Sequence, residues 1–233
     1  MSRRRFVTGP RRPRGEAATE YAAAERVPGR TPWREAPWCA VDLELTGLDL
    51  DRDEIISFGA IPIEQGVVRV GEAVSGLVRP TGEVSEESIR VHGIRAVDLE
   101  SAPPLAEAIE PLLRTIAGRV VVAHTARVER VFLRRAMRDR GVRLRGRVAD
   151  TELLGRLWLY ERDARWWPRL PLVVLAAEMG LPAEHPHDAL GDALTTAQAF
   201  IALVAHLDAT QTQTVSTITT ARRRLDEIRA FHL

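Results

Sequence analysis

Five residues in this chain have the types and spacings of a reaction centre. In Val41-Asp42-Leu43-Glu44-Leu45, two carboxylates lie two positions apart. On a strand that spacing sends both to one face, while Val41, Leu43 and Leu45 leave by the other. By itself the alternation also describes a half-buried strand with one solvated face. If helices cover both faces, the pair is enclosed. Carboxylate oxygens converging to about 4 Å repel by about 4 kcal/mol at an effective dielectric near 20, so such a pair needs a cation.

Glu129 is the third acid, in the helical stretch "ARVERVFLRRAMRDRG". Val128, Phe132 and Ala136 make an apolar stripe flanked by Leu133, and Glu129 borders it, whereas Arg127, Arg134 and Arg138 point elsewhere. It is either a surface partner for a neighbouring arginine or an inward carboxylate. In "HPHDALGDALTTAQAF" Asp192 begins an apolar-periodic helix, where the helix dipole favours a carboxylate, and His187 lies five residues earlier in a loop. A loop histidine beside a helix-start aspartate can converge with it on one point. Taken singly, each also fits an ordinary surface role.

The elements that must position these groups follow from hydrophobic periodicity. From Trp38 the pattern is β: "WCAVDLEL", "EIISFGAIPI" and "VVRVGEAVSGLV", separated by the turn-like "DLDRDE" and "EQG", which predicts an antiparallel three-stranded meander. A helix follows in "PPLAEAIEPLLRTIAG", then a strand in "RVVVAH", the Glu129 helix, a short strand around "RVA", and helices for most of the remainder. The expected fold is α/β, a mixed five-stranded sheet with helices on its faces. Residues 1–35 form an Arg/Pro/Ala-rich extension, with no ordered structure expected at first and then a short helix; residues 36–207 form the domain, and 208–233 a helical extension. There Val215, Ile218, Leu225 and Ile228 form a near-helical stripe expected to pack back on the domain, with a dimer or partner contact as the alternative.

Together the motifs resemble the DEDDh family of 3′→5′ exonucleases, which includes the proofreading epsilon subunit of bacterial DNA polymerase III. The family's Asp-x-Glu-Thr-Thr-Gly-Leu is similar to Asp42-Leu-Glu44-Leu-Thr46-Gly47-Leu48, and its His-x-Ala-x-x-Asp-Ala to His187-Asp-Ala189-Leu-Gly-Asp192-Ala193. "VHGI" at 91–94 and "ADTELL" at 149–154 fall in the family's order. The second motif, Ala-His-Asn-Ala-x-Phe-Asp-x-x-Phe-Leu, is similar to residues 123–133, with Thr125, Val128 and Glu129 substituted. The resemblance covers residues 37–206 and implies a ribonuclease H-like fold. It implies two divalent ions, Mg²⁺ or Mn²⁺: Asp42, Glu44 and Asp192 would hold one, and Asp42 with Glu129 the other. His187 would be the general base. Leu45, Thr46 and His92 would surround the terminal nucleotide, and Arg127 would meet phosphate. The implied partners are single-stranded DNA or RNA 3′ ends and a DNA polymerase; an oligoribonuclease-type enzyme or an end-binding domain with a weakened site are the alternatives.

Composition bounds these readings. The chain has 233 residues and a net charge of +1. Cys39 is its only cysteine, so no internal disulfide or multi-thiolate zinc site can form. All 33 basic residues are arginine, which coding bias explains as well as phosphate binding does. Their placement is more informative: nine lie between Arg127 and Arg147, against Glu129 and Asp139. That local excess is either a solvated helix face or a track for a phosphate backbone. Trp166 and Trp167 are candidates for base stacking or loop anchoring, and Arg3–Arg14 for a nucleic-acid arm or a solubilising tail. No apolar run in the sequence approaches the roughly 18 residues of a bilayer span, and "SRRRFV" leads into "TGPRRPRGE" rather than an apolar segment; no membrane association and a cytoplasmic location are expected.

Overall fold

The β-rich run at Trp38 becomes the central strand of the sheet, and both its faces are buried. In this computed structural model, which describes residues 12–164, 166–183 and 187–231, β1 (Trp38–Leu45) pairs antiparallel with β2 (Ile55–Glu64) over its whole length. The third strand of the expected meander is broken. β3 (Val67–Val68) and β4 (Val74–Leu77) both pair with β2, and a 3-10 turn at Val70–Glu72 separates them. This edge is partly exposed and contains Gly71 and Gly76, so little side-chain packing opposes a bend there.

β5 (Val120–Ala123) and β6 (Ala149–Asp150) complete the order β3-β2-β1-β5-β6, both joining in parallel. The expected mixed sheet is therefore present, with its third position shared by two short strands. Parallel pairing of β1 with β5 covers only Trp38–Ala40. Beyond Ala40 the two strands diverge, leaving Asp42 and Glu44 at a crevice by the carboxyl end of β5, where open α/β sheets commonly bind ligands.

α1 (Glu16–Ala23) precedes the sheet; α2 (Glu86–His92), α3 (Ala96–Leu99), α4 (Leu105–Ala108) and α5 (Glu110–Ile116) lie between β4 and β5. The sequence pattern predicted one helix over the last two. Pro111 divides it: proline lacks the N–H and its ring crowds the carbonyl four residues back, but it is tolerated in a first turn, which is where α5 has it. α6 (Arg127–Asp139) follows β5, and α7 (Thr151–Asp163), α8 (Leu172–Glu178), α9 (Ala189–Thr210), α10 (Val215–Thr219) and α11 (Ala221–Phe231) follow β6.

Helices cover both faces. Cys39, Val41, Leu43 and Leu45 pack with α1, α5 and α6. Trp38 and Ala40, whose face Asp42 and Glu44 continue, pack with α7, α8 and α9, and Trp38 meets Phe200 with ring centroids 4.8 Å apart. α9 qualifies by length and composition as a bilayer span, correcting the expectation that no segment would. Its alternating small and polar residues hide that property from a scan for continuous apolar runs. In the fold, 56% of its apolar window is buried against the protein, which is the setting of a core helix.

The flanking segments belong to the same cores. Ala17, Ala18, Tyr21 and Trp33 are buried, as are Val215, Ile218 and Leu225 of the C-terminal stripe. That stripe is two helices, divided at Thr220. Most of the N-terminal arginines, residues 3–11, lie outside the described residues.

Candidate active site

β1 brings Asp42 and Glu44 to the α9 side of the sheet, and the first turn of α9 brings Asp192 to them. One carboxylate oxygen from each of the three lies within 4.8 Å of the others. At that separation two full charges repel by about 3 kcal/mol at an effective dielectric near 20. Burial first, then the charges of Glu129, Asp192, Glu44 and Asp188, hold the Asp42 carboxyl well above the usual range. Burial, with Asp192 and Asp188 behind it, pushes Glu44 up to about 8. Asp192 is raised by burial, against a hydrogen bond that its Oδ2 accepts from the His187 N–H at 3.0 Å.

Glu129 points inward. It lies in the first turn of α6, one turn before Phe132 and Leu133 on the face that enters the core, and it is only 7% exposed. Burial, then Asp150 and Glu44, push its carboxyl up to about 8. Its Oε2 is enclosed without a hydrogen-bond partner. A buried carboxylate oxygen facing other carboxylates and no donor is costly unless a cation or a proton completes it. The donors are all hard oxygens, which suits Mg²⁺, Mn²⁺ or Ca²⁺ and not a thiophilic metal.

His187 is exposed at the mouth of the cleft with φ 65°. Its backbone holds Asp192, so the turn that exposes the ring also fixes the carboxylate. His92 ends α2; burial lowers its pKa, and the Leu45 carbonyl and His187 are near enough to act on it. Leu45 is buried at the end of β1. Thr46 is also buried, and its hydroxyl is engaged within its own loop, donating to Asp53 Oδ1 at 2.7 Å and accepting from the Glu54 N–H. Arg127 is exposed at the start of α6.

Three residues to which sequence reasoning gave no role shape the site. Asp188 caps α9 by accepting from the Gly191 N–H at 2.9 Å, and its charge acts on Asp42, Glu44 and Asp192. An aspartate immediately before the helix was its visible signal. Asp150 caps α7 through the N–H groups of Glu152 and Leu153 and also accepts from Ala126 N–H, which ties down the start of α6 and so Glu129. Gly59 pairs with Asp42 across β1 and β2, and a Cβ there would run into the Ala189 carbonyl. Its missing side chain lets the α9 N-terminus approach the sheet.

Of the two tryptophans, Trp167 packs against the α9 core, while Trp166 is 42% exposed under the Arg156 guanidinium. The nine arginines divide by role. Arg135 donates to the carbonyls of Leu50 and Asp53, Arg140 pairs with Glu110, and Arg145 donates to the Ala24 carbonyl. The other six are exposed.

A β1 strand with two carboxylates, a helix-borne Glu129 and a His187–Asp192 turn, on a mixed sheet between helical layers, define a ribonuclease H-like nuclease domain. A family model for RNase T-type exonucleases matches residues 39–200, and the chain belongs to this exonuclease family. A DNA polymerase III subunit epsilon-like protein of Rhodobacter capsulatus is 32% identical over 203 residues, which are 86% of this chain and 28% of that protein. The chain thus spans little more than a quarter of that relative's length. In fold, it is similar to Exonuclease X in complex with 5′ overhanging duplex DNA (TM-score 0.60, 21% identity, 79% of this chain and 98% of that one). It is also similar to the nuclease domain of 3′hExo, a DEDDh family member, bound to rAMP (TM-score 0.58, 14% identity, 79% and 98%).

Proposed function

We propose that this chain is a 3′→5′ exonuclease that removes nucleoside 5′-monophosphates from single-stranded DNA or RNA ends. The observation that carries this reading is the convergence of the Asp42, Glu44 and Asp192 oxygens within 4.8 Å, beside the enclosed and unpartnered Glu129 Oε2. Asp42, Glu44 and Asp192 would hold one Mg²⁺ or Mn²⁺, and Asp42 with Glu129 a second. Two such ions would supply charge neutralisation at the scissile phosphate and would lower the pKa of the attacking water towards neutrality.

The chain's own groups complete the reaction. His187, exposed at the cleft mouth and tethered through its N–H to Asp192, accepts the proton of the attacking water. Leu45, His92 and the Thr46 loop bound the terminal nucleotide, and Arg127 meets a phosphate. The Rhodobacter relative's name supports a polymerase as partner, and the rAMP in 3′hExo is of the product class proposed.

The test uses 5′-labelled single-stranded DNA and RNA with Mg²⁺, Mn²⁺ or EDTA. A metal-dependent ladder shortening from the 3′ end, lost in Asp42→Ala, is expected. His187→Ala should lower kcat by about 10²–10⁴ while binding in EDTA persists. Binding without any ladder would sink the enzyme reading and leave an end-binding domain; digestion confined to very short RNA would replace it with an oligoribonuclease-type activity.

A further inference from the structure

A basic groove on the outer side of α6 plays no part in the chemistry above. The 141–146 turn, the exposed side of α6 and the end of α1 enclose a groove of about 1330 Å³. Six arginines line it (Arg26, Arg134, Arg135, Arg138, Arg143 and Arg145), and Asp51 is the one acid among its lining residues. Arg135 and Arg145 are fixed by backbone carbonyls. Arg26, Arg134 and Arg143 are exposed, and no ion pair engages them among the described residues. The neighbouring Arg134 contributes to lowering the pKa of Arg130, behind burial. The guanidiniums of Arg26, Arg134 and Arg143, which no ion pair neutralises among the described residues, repel one another, and a polyanion relieves that repulsion.

The groove's position links it to the cleft. Leu50 and Asp51 belong to the loop that follows the end of β1 at Leu45, and Arg135 bonds to the Leu50 carbonyl. Arg134 follows Glu129 by five residues, about 7.5 Å along the helix axis and about 140° around it, so it stands on the outer side of the helix whose inner side carries Glu129. The remaining walls are aliphatic or glycine, Val131, Val142 and Leu144 among them, and no aromatic ring lines the groove. Tracks for single strands combine charge with aromatic platforms on which bases stack. Charge without stacking surface suits a nucleic acid whose bases are already stacked and whose phosphates alone are presented.

We infer that the arginine groove along α6 holds the phosphate backbone of a double-stranded region of the nucleic acid, flanking the end that enters the carboxylate cleft. This rests on the exonuclease reading only for the kind of polyanion involved. Binding is measured by fluorescence anisotropy in EDTA, with a labelled blunt DNA duplex of two helical turns and a single strand of the same length, across a salt series. The proteins are wild type, an Arg26→Ala/Arg134→Ala/Arg143→Ala triple variant, and a control triple at the exposed Arg79, Arg169 and Arg229. All are first matched in melting temperature.

The groove variant should lose about tenfold or more in duplex affinity, and its slope of log affinity against log salt should become shallower by about two to three, close to 0.9 per lost phosphate contact. The control should lose clearly less of both. Duplex affinity and slope unchanged in the groove variant would overturn the inference and leave the groove to an acidic protein surface. A single strand bound as tightly as the duplex, and weakened as much by the variant, would overturn it too. Groove-dependent duplex binding by a protein that makes no ladder would sink the exonuclease reading alone.

Discussion

Glu129 has one methylene more than the aspartate the family keeps at its position, and the fold accommodates it by burying the side chain beside Asp42 rather than turning it to solvent. The cost of that burial is legible in pH. Glu44 and Glu129 have values of about 8 in the folded protein, against about 4.3 in an unfolded chain. Between those values the native, metal-free state holds protons that the unfolded state has released. The stability that these raised carboxyls contribute is therefore fully present below about pH 4 and is lost as pH rises through about 8. In EDTA, Tm should fall as pH is raised from about 6 to about 9, and Mg²⁺ or Mn²⁺ should raise Tm more at the higher pH. A Tm indifferent to both would mean that the carboxylates do not form one charged cluster. Glu129→Gln sharpens the test, because an amide cannot acquire the costly charge and can donate to Asp42. The variant should melt higher than wild type in EDTA at high pH. It should also cleave at least about a hundredfold more slowly, since even groups that merely orient metal ligands cost about 10–100-fold when lost.

The elements place these residues through a few close approaches, and those were the least legible part of the sequence. Period-two alternation in residues 41–45 puts Asp42 and Glu44 on one face, as in the structure, whereas the apolar stripe of α6 leaves Glu129 at its border, open between surface and core, and the structure buries it. What the alternation lacks is the partner: Asp42 and Glu44 form a site because α9 lies on their face, and α9 can lie there because residue 59 has no side chain. In "EIISFGAIPI" that glycine reads as a weak point in a strand, since the helix that needs it is 130 residues away. Gly59→Ala should cost about 1–3 kcal/mol through overpacking and reduce metal-dependent cleavage, because Asp192 rides on the displaced helix end; normal activity with normal Tm would remove Gly59 from the positioning argument. The turn from β5 into α6 is a second such place. Thr125 has φ 56°, in the left-handed region that a β-branched residue adopts with strain, and its hydroxyl donates to Glu152 at 3.2 Å. Asparagine, the family residue there, adopts this region readily. Thr125→Asn should therefore stabilise the protein by about 1 kcal/mol, and a lower Tm would show that the Glu152 bond outweighs the backbone strain.

Over the whole molecule, the segments that composition marks as extensions are built into the packing on both faces of the sheet. Residues 29–33 and 213–216 are bonded to each other: Trp33 N–H donates to the Gln213 carbonyl, Val215 N–H to that of Thr31, and Ser216 N–H to that of Gly29. Glu16 and Glu20 both pair with Arg114 on α5, and Tyr21 accepts from the Arg145 N–H. The C-terminal stripe of Val215, Ile218 and Leu225 is legible as a segment that packs back on the domain, whereas the alanine-rich stretch before the sheet gives little sign of this in sequence, because its buried residues are few and the surface they bury against is assembled from distant strands and helices. The consequence concerns stability. Tyr21, Trp33, Val215, Ile218 and Leu225 are each at least 94% buried, and removing one large side chain from a core costs about 2–5 kcal/mol. Losing all five, about 10–25 kcal/mol together, matches or exceeds the roughly 5–15 kcal/mol that holds a domain folded. A fragment of residues 36–207, which contains every carboxylate of the site, should therefore show no cooperative thermal transition and should bind a hydrophobic dye, whereas the full chain melts cooperatively. A fragment that melts within a few degrees of the full chain would make both flanking segments accessories to a domain that stands without them.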